Sequence, residues 1–357
     1  MNKQKIKIYL QYPWKFADSS YYKNLIYFPA NNINYINVKK ENFELAKSRT
    51  KFLLSKNLKT AIRKLTGFLD LPIMNVHLTK SKEKYDLIHC AHCLSSNDSP
   101  WVMDLESTWQ LWVSGMNTKT GKDKVKTLLL SKNCKKIMPW TEDTKNKLLQ
   151  IFPDKKIKKK IEIVSHAIKI PRIQKIKHSG INLFFTARYF YEKGGLETLE
   201  VFDVLTKKYP NVNAIFISNV PKEILEKYSK NKKIQFRHLI PQKELGYSDS
   251  YGFLFIEALA YGLPIVTVDG FARKELVLNG KTGIVCKKPE IIWKKNGLII
   301  KNREKVILDL IKNTEKLIKN NSLRKKMSLN ARKTAIEKYS IEKRNKQLER
   351  IYQEAIK

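Results

Sequence analysis

The sequence contains no long apolar run, few cysteines, and far fewer acidic than basic residues. No segment approaches the roughly 18 consecutive apolar residues of a membrane-spanning helix, and the first residues, MNKQKIKIYLQYPW, include no apolar signal core. Only four cysteines are present, which argues against a disulfide framework. We therefore expect a cytoplasmic protein, either fully soluble or peripheral at the inner face of a membrane.

Two of the cysteines lie in the cluster HCAHC at positions 89–93. Such a cluster is typical of metal sites, but a closed zinc site takes a second pair of ligands from elsewhere in the chain. The other two cysteines, Cys134 and Cys286, stand alone and offer no such pair. The sequence therefore predicts no metal site.

The basic excess is large, because 70 Lys and Arg residues face 33 Asp and Glu residues, for a formal net charge of +37. A field of this sign favours anionic partners such as nucleic acid, an anionic membrane or phosphorylated metabolites. A general lysine bias of the surface would produce the same total. Nucleic acid is the least favoured of these partners, because the chain has no recognisable reading module and no aromatic residues interleaved with its basic run.

Short apolar strand patterns alternate with helical patterns along the chain. The strand patterns are at 5–12, 35–38, 85–90, 101–105, 136–139, 161–165, 182–187, 213–218, 234–240 and 265–268. The clearest helical patterns are at 43–69, 141–151, 195–208 and from Pro221 onwards. Strands interleaved with helices of this length indicate parallel sheets and an α/β fold.

A charge run at 153–163 and Pro171 interrupt this alternation. We predict two Rossmann-like, doubly wound domains, residues 1–170 and 171–340, with ligand bound in a cleft at the carboxyl ends of the strands. Residues 341–357 read as a final helix that packs back on the first domain. The basic amphipathic pattern at 43–69 fits either a helix on an anionic membrane or a domain helix with a solvated face.

One charged residue stands in an otherwise apolar helical pattern. From Phe253 to Tyr261 every residue except Glu257 is apolar or Ala, and Gly262 followed by Pro264 supplies a helix stop. Asp249 or Ser250 can cap its start. A buried carboxylate is costly without hydrogen-bond donors, so Glu257 needs either a protein donor or a ligand hydroxyl.

Two cations lie between a predicted strand and a predicted helix, in the segment TARYFYEKGG. Arg188 follows the strand and Lys193 precedes Gly194 and Gly195, which let the backbone approach a ligand closely. Because helix N-termini favour anions, this arrangement is typical of a diphosphate site.

Taken together, these segments resemble family 4 glycosyltransferases. ARYFYEKGG is similar to the GR-x-x-x-EKG segment of that family, and DSYGFLFIEALAYGLP with ELVLNGKTGIV is similar to its EGFG-x-x-x-x-EAMACG-x-PVV and E-I-V-x-x-G-x-TG segments. The match covers residues 181–285, and residues 322–340 resemble the C-terminal helices of the family. The resemblance implies the GT-B fold, in which two Rossmann-like domains face each other across a cleft.

The resemblance also implies an activity, the retaining transfer of a sugar from a nucleotide-diphosphate donor to a glycan, lipid or protein. The donor is a substrate, and no cofactor is implied. Donor-binding residues carried over from the motifs are Arg188, Lys193, Gly252, Phe253 and Glu257. Arg188 and Lys193 would neutralise the diphosphate, Glu257 would bind the ribose hydroxyls, and Asp249 would lie near the donor sugar. A plain N-cap role for Asp249 remains open.

The first half resembles the family more faintly. DLIHCAHC is similar to a strand-end D-x-x-H-x-H pattern, which makes His92 the counterpart of a histidine beside the reacting sugar. Asp104 and Glu106, in PWVMDLE, are expected to face the cleft. We predict that His92 and Glu106 position the acceptor or the donor sugar, although a strand-end histidine and two capping acids fit the same residues.

The sequence departs from the family in three places. The stretch YPWKFADSSYY after the first strand has no glycine, and SNVP stands where the family has GDGP. About fifteen residues are missing before Asp249, which would remove a central strand beside 265–268 unless another segment, such as 287–302, replaces it. The alternative function is therefore a degenerate, non-catalytic GT-B protein that binds a partner or an anionic polymer.

Overall fold

The structure of this chain is a computed structural model that describes residues 5–11, 20–38, 65–66, 68–69, 71–173, 179–238, 253–294 and 297–357. The chain divides into two compact units. Unit 1 is Met1–Lys169 together with Lys338–Lys357, and unit 2 is Ile170–Glu337. Each unit alternates strands and helices, and no helix among the described residues is both long and apolar enough to cross a membrane.

Unit 1 contains a five-stranded parallel sheet in the order β2-β1-β4-β6-β7. Its strands are β1 (Ile6–Gln11), β2 (Ile33–Tyr35), β4 (Leu87–Ala91), β6 (Trp101–Leu105) and β7 (Cys134–Pro139). A short parallel pair, β3 (Val76–His77) and β5 (Leu94–Ser95), lies outside it. The helices are α1 (Ser20–Tyr27), a 3-10 turn (Thr108–Leu111), α2 (Lys119–Leu130), α3 (Glu142–Ile151), α4 (Lys155–Lys160) and α11 (Ile341–Ala355).

The central strands of this sheet are buried along their whole length. Every residue of β4 (LIHCA) and β6 (WVMDL) is buried, as expected for parallel strands covered on both faces. Leu129 of α2 and Phe152 after α3 join the same apolar core. His89 and Asp104 are therefore polar residues on fully buried strands.

The predicted start of α3 is confirmed, because the Thr141 hydroxyl accepts from the backbone N–H of Thr144. The charge run at 153–163 contains a helix that its composition did not indicate. Asp154 accepts from the amides of Lys156 and Ile157, and buried Ile157 anchors a short helix, α4. The strand predicted at 161–165 is wrong, since only Ile161 forms an isolated bridge, with Ile137. The second strand also ends earlier than predicted, at Tyr35.

Unit 2 repeats the alternation with two separate parallel sheets, β10-β9-β8 and β11-β12. Its strands are β8 (Ile181–Ala187), β9 (Val212–Ser218), β10 (Ile234–Arg237), β11 (Ile265–Val268), β12 (Gly283–Cys286), β13 (Ile291–Lys294) and β14 (Gly297–Ile300). Its helices are α5 (Gly195–Lys208), α6 (Lys222–Tyr228), α7 (Phe253–Ala260), α8 (Arg273–Leu276), α9 (Arg303–Lys319) and α10 (Asn321–Tyr339).

The stretch 287–302 does not replace the strand that the sequence lacks. β13 pairs antiparallel with β14, so the two strands satisfy each other as a hairpin. Within the described part of unit 2, β11 pairs with β12 alone. Residues 239–252, where residues of the family pattern are missing, lie outside the described residues. Most of the predicted helix at 43–69 and most of the glycine-free stretch after the first strand also lie outside them.

Candidate functional site

The carboxyl ends of the central strands of unit 1 carry a group of polar side chains. We call it the His92 cluster, and it consists of His89, His92, Asp104, Tyr21 and Tyr352. Asp104 lies opposite Ala91 in the β4–β6 register, so it shares a sheet face with His89, two residues earlier on β4. Tyr21 comes from α1 and Tyr352 from α11.

Asp104 lies at the centre of this cluster and bridges two histidines. Its Oδ2 is 2.7 Å from His89 Nε2, and its Oδ1 is 2.9 Å from His92 Nδ1. The second contact is close, although its N–H direction lies off the line of an ideal hydrogen bond. The backbone N–H of His92 also donates to Oδ1, at 3.2 Å. On the far side of His89, Nδ1 is 2.5 Å from the Tyr352 hydroxyl.

Burial keeps this cluster close to neutral. It lowers the pKa of both His89 and His92 to about 3, because the charged imidazolium is poorly solvated there. Burial also raises the pKa of Asp104 well above its usual value, opposed by the hydrogen bond from the His92 backbone. Both histidines are therefore uncharged at neutral pH, and burial opposes the charged form of Asp104 as well.

The His92 ring is held among aromatic side chains. Its centroid lies 4.9 Å from Trp140, 5.2 Å from Tyr21 and 5.9 Å from Tyr22. The backbone of His92 has φ of 57°, a left-handed conformation that is uncommon outside glycine and often marks a functional site. The side chain keeps 11% of its surface exposed, so the ring is fixed but still reachable.

Glu106, the other predicted residue of this unit, follows β6 directly. Its backbone N–H donates to Gln110 Oε1 at 3.0 Å, and its carbonyl accepts from the Thr144 hydroxyl at 2.7 Å. Its negative charge contributes to the raised pKa of Asp104. The structure thus brings His92 and Glu106 to the same end of the sheet, with Asp104 between them in the chain.

In unit 2, Arg188 and Lys193 lie on one turn between β8 and α5, and both are exposed. Gly194 is the N-cap of α5, with φ of 74°, a left-handed conformation suited to glycine. The first helical bond runs from the Thr198 amide to the Gly194 carbonyl, so the amides of Leu196 and Glu197 precede the helical ladder. Two cations and a helix start therefore coincide here, as the sequence predicts.

Two acidic residues in the first turns of α5 form ion pairs with a third cation, Arg303. Arg303 Nε lies 2.7 Å from Glu197 Oε1, and its Nη2 lies 2.6 Å from Glu200 Oε1. Glu197 is 9% exposed, so its charge would otherwise oppose an anion at the first turn of α5. The ion pairs with Arg303 offset that charge, which leaves the field of Arg188 and Lys193 less opposed.

Glu257 is 7% exposed on α7 and therefore a buried acid, as the apolar pattern predicts. The helix ends at Ala260, and Gly262 follows with φ of 69°, which confirms the predicted stop. Phe253 is 1% exposed, so its ring packs in the core and only its backbone could meet a donor. Asp249 and Gly252 lie outside the described residues.

The cysteines of HCAHC behave as core residues. The Cys90 thiol donates to Gln11 Oε1 at 3.5 Å and the Cys93 thiol to the Gln11 carbonyl at 3.6 Å, and both side chains are fully buried. Burial raises the pKa of Cys134 to about 12. Across the described ranges, no group of three His, Cys, Asp or Glu residues has the arrangement needed to hold a metal ion.

Sequence reasoning missed three members of the His92 cluster. His89 precedes His92 in the same motif and could have been noticed from HCAHC alone. Tyr21 and Tyr352 carry no such signal, because they are 68 and 263 residues away from His89 along the chain. Only the folded chain shows that the C-terminal helix supplies a hydroxyl to this strand end.

Comparison with known proteins supplies the class of the fold. No family model and no curated protein sequence matches this chain. A glycosyltransferase from Rickettsia africae ESF-5 aligns over 99% of both chains, with a TM-score of 0.61 and 12% identity. Anabaena Alr3699/HepE in complex with UDP-glucose covers 97% of this chain and 98% of its own, with a TM-score of 0.56 and 13% identity.

Sucrose-phosphate synthase from Thermosynechococcus elongatus is a third similar structure, covering 91% of this chain and 81% of its own, with a TM-score of 0.51 and 13% identity. At such identities the likeness concerns the fold. The chain has the α/β GT-B fold of two-domain glycosyltransferases, which confirms the predicted fold class.

Proposed function

We propose that this protein is a glycosyltransferase that moves a sugar from a nucleotide-diphosphate donor to a glycan, lipid or protein acceptor. The observation that carries this proposal is the turn at the start of α5, where exposed Arg188 and Lys193 both precede a left-handed Gly194 in a chain of GT-B fold. Membership of family 4, and with it retention of anomeric configuration, rests on the motifs of residues 181–285.

Each predicted residue is assigned a role in this proposal. Arg188 and Lys193 neutralise the diphosphate, and the amides at the start of α5 assist them. Glu257, the buried acid of α7, binds the ribose hydroxyls. Asp249 and Gly252 complete the donor site. In unit 1, His92 and Glu106 position the acceptor or the donor sugar. The cations make a metal ion unnecessary for charge neutralisation.

A uridine nucleotide is the first donor to examine. Anabaena Alr3699/HepE, which shares the fold, is complexed with UDP-glucose. No residue described above selects a base, so UDP, GDP and ADP should be compared directly by isothermal titration calorimetry.

The diphosphate assignment predicts that Lys193→Ala weakens binding of the preferred nucleotide about tenfold or more. A charge-assisted contact contributes roughly 1.5 to 3 kcal/mol, and about 1.4 kcal/mol corresponds to a factor of ten. Lys207→Ala is the matched control, because Lys207 lies near the other end of α5 and pairs with Asp203 at 2.7 Å. Equal affinities of Lys193→Ala and the unaltered protein would remove the diphosphate assignment.

We also propose that the protein works in the cytoplasm and contacts the inner face of an anionic membrane. The predicted helix at 43–69 includes one acidic residue, Glu44, and seven basic ones, Lys47, Arg49, Lys51, Lys56, Lys59, Arg63 and Lys64. At the end of this stretch the usual burial is reversed, because Thr66 is 8% exposed while Phe68 is 87% exposed and Leu69 is 55% exposed. Apolar side chains beside a basic stretch suit an anionic lipid surface.

A non-catalytic GT-B protein is the second candidate. The observation in its favour is that β8 and β11 belong to separate sheets in the described part of unit 2. Incubation of the purified protein with UDP-, GDP- and ADP-glucose distinguishes the two candidates. Release of glucose from one donor supports the enzyme, whereas nucleotide binding without any hydrolysis or transfer supports the binding protein.

A further inference from the structure

The hydrogen bonds around Asp104 bear on the hydrogen position of the neighbouring His92 ring as well as on the position of the carboxyl group. Asp104 is 2% exposed. Its Oδ2 lies 2.7 Å from His89 Nε2 in a hydrogen bond, and its Oδ1 lies 2.9 Å from His92 Nδ1, with the N–H direction off the line of an ideal hydrogen bond. The backbone N–H of His92 reaches the same Oδ1, at 3.2 Å. A backbone N–H can only donate, so Oδ1 must act as an acceptor.

This requirement determines where His92 carries its hydrogen. An Oδ1 that accepts from the backbone and carries no proton presents only lone pairs to the ring nitrogen 2.9 Å away, so hydrogen on Nδ1 avoids a repulsive contact even though its direction lies off the ideal line. The conclusion holds whether Asp104 is ionised or carries a proton on Oδ2, since that proton would face His89. In a neutral imidazole, hydrogen on Nδ1 leaves Nε2 bare, and a bare Nε2 can accept from a hydroxyl.

The other half of the network keeps Asp104 in place. His89 Nδ1 contacts the Tyr352 hydroxyl at 2.5 Å, and that hydroxyl lies 3.2 Å from the hydroxyl of Tyr35. Tyr352 belongs to α11 and Tyr35 to β2, and all three side chains are buried. A chain of hydrogen bonds therefore runs from two separate elements through His89 to Asp104. The rings of Trp140 and Tyr21 pack against the ring of His92.

We propose that Asp104 is a positioning residue, which holds His92 with hydrogen on Nδ1 so that Nε2 accepts a hydrogen bond from a hydroxyl of the sugar substrate. This inference rests on the proposed glycosyltransferase activity. Asp104 itself touches no substrate, and it acts only through the ring of His92.

Nuclear magnetic resonance of the imidazole nitrogens tests the geometric part without any substrate. In the unaltered protein at neutral pH, the spectrum should show His92 with a protonated Nδ1 and a bare Nε2. Asp104→Ala should abolish this preference. In Asp104→Asn the amide oxygen should replace Oδ1, because the His92 backbone N–H still requires an acceptor there, and the preference should persist. A bare Nδ1 in the unaltered protein would overturn the proposal with no variant at all.

A double-mutant cycle tests the functional part with the nucleotide-glucose that the protein hydrolyses. His92→Ala and Asp104→Ala should each lower kcat at least tenfold, and the double variant should be no slower than His92→Ala, because Asp104 acts through that ring. Nucleotide affinity should change by less than about twofold in all three. Losses that multiply in the double variant would show an independent role for Asp104 and overturn the proposal.

Two further results keep the outcomes separable. If Asp104→Ala fails to fold, Asp104→Asn provides the activity comparison. A loss of kcat in Asp104→Asn together with an altered His92 tautomer would still support the proposal. The same loss of kcat with the His92 tautomer intact would oppose it. If no sugar nucleotide is hydrolysed and Lys193→Ala leaves nucleotide affinity unchanged, the proposed function fails, and the tautomer alone then decides whether Asp104 controls His92.

Discussion

At the residue scale, burial has placed several ionisable side chains in environments that oppose their charged forms. His89 and His166 are buried and the His92 side chain is 11% exposed, and the pKa of each is lowered chiefly by desolvation. Asp104 lies among them with its pKa raised by the same cause. Groups of this kind are neutral in the folded chain, so they connect the stability of unit 1 to pH.

The histidines predict that the free energy of unfolding falls as the pH drops below about 6.5, the usual histidine pKa. In that range the unfolded chain binds three protons at these histidines that the folded chain does not. Asp104 acts in the opposite direction, because its raised pKa makes the folded chain bind one proton more. The difference of about two protons at these four groups gives roughly 2 to 3 kcal/mol per pH unit near pH 5, and His77, whose pKa burial also lowers, adds to it in the same direction.

Urea unfolding of the whole chain between pH 5 and 7, followed by circular dichroism, measures this slope. His166→Asn should reduce the slope by about 1.4 kcal/mol per pH unit, the amount for one proton. Acids whose pKa is lowered, such as Glu162, contribute only below about pH 4.5 and do not interfere. A stability that stays level from pH 7 to 5 would contradict the buried neutral histidines.

At the scale of elements, helix starts show how much local sequence can determine. Thr141 caps α3 and Asp154 caps α4 by accepting backbone hydrogen bonds. The first helix was predicted from the helical pattern at 141–151, whereas α4 lies in a charge run in which no helix was predicted. Six residues with five lysines carry little intrinsic signal, and it is the burial of Ile157 in the core of unit 1 that stabilises this helix.

The two glycines at the start of α5 serve different physical needs. Gly195 has Phe190 against it, so an added Cβ would lie 2.5 Å from Cδ2 of that ring and 2.7 Å from its carbonyl oxygen. Gly194 has space, since the nearest atom to an added Cβ is Glu197 Oε2 at 3.8 Å, but its φ of 74° is left-handed.

We therefore predict that Gly195→Ala destabilises unit 2 by about 1 to 3 kcal/mol, because the clash forces the turn to shift. Gly194→Asn should cost less than about 1 kcal/mol, since Asn adopts the left-handed conformation more readily than other residues. Urea unfolding of both variants, with nucleotide titration alongside, checks the order. A larger loss of stability in Gly194→Asn than in Gly195→Ala would mean that the left-handed backbone conformation, and not the space beside Phe190, restricts substitution in this turn.

At the scale of the whole molecule, the net charge of +37 is the property with the widest consequences. Such a charge draws anionic donors and anionic surfaces from a distance, and salt weakens that attraction. Charge alone does not select a surface, and in the membrane proposal the exposed apolar residues Phe68 and Leu69 supply that selection.

The membrane proposal predicts that the protein floats with vesicles containing about a third anionic lipid and not with neutral vesicles. Phe68→Ser with Leu69→Ser should weaken the binding about tenfold or more, because burial of each side chain contributes roughly 1 to 2 kcal/mol. Leu308→Ser is the matched control, a residue of α9 in unit 2 that is 65% exposed. Equal losses in control and test variants, or equal binding to neutral vesicles, would contradict the assigned surface.

The sequence by itself determined the alternation of strands and helices, the cationic turn before α5 and the burial of Glu257. These features are local, because apolar period, capping residues and glycines act within a few positions of one another. The β13–β14 hairpin escaped this reasoning, since the stretch 287–302 was considered only as one candidate to replace a missing parallel strand.

Only the tertiary structure decided what surrounds His92. The register of β4 and β6 places Asp104 beside two histidines, and α11 brings Tyr352 to His89 from 263 residues away. No local pattern encodes such contacts, because the packing of the C-terminal helix against the sheet determines them. The candidate diphosphate turn could therefore be recognised in the sequence, whereas the hydrogen-bond network that holds His92 required the folded chain.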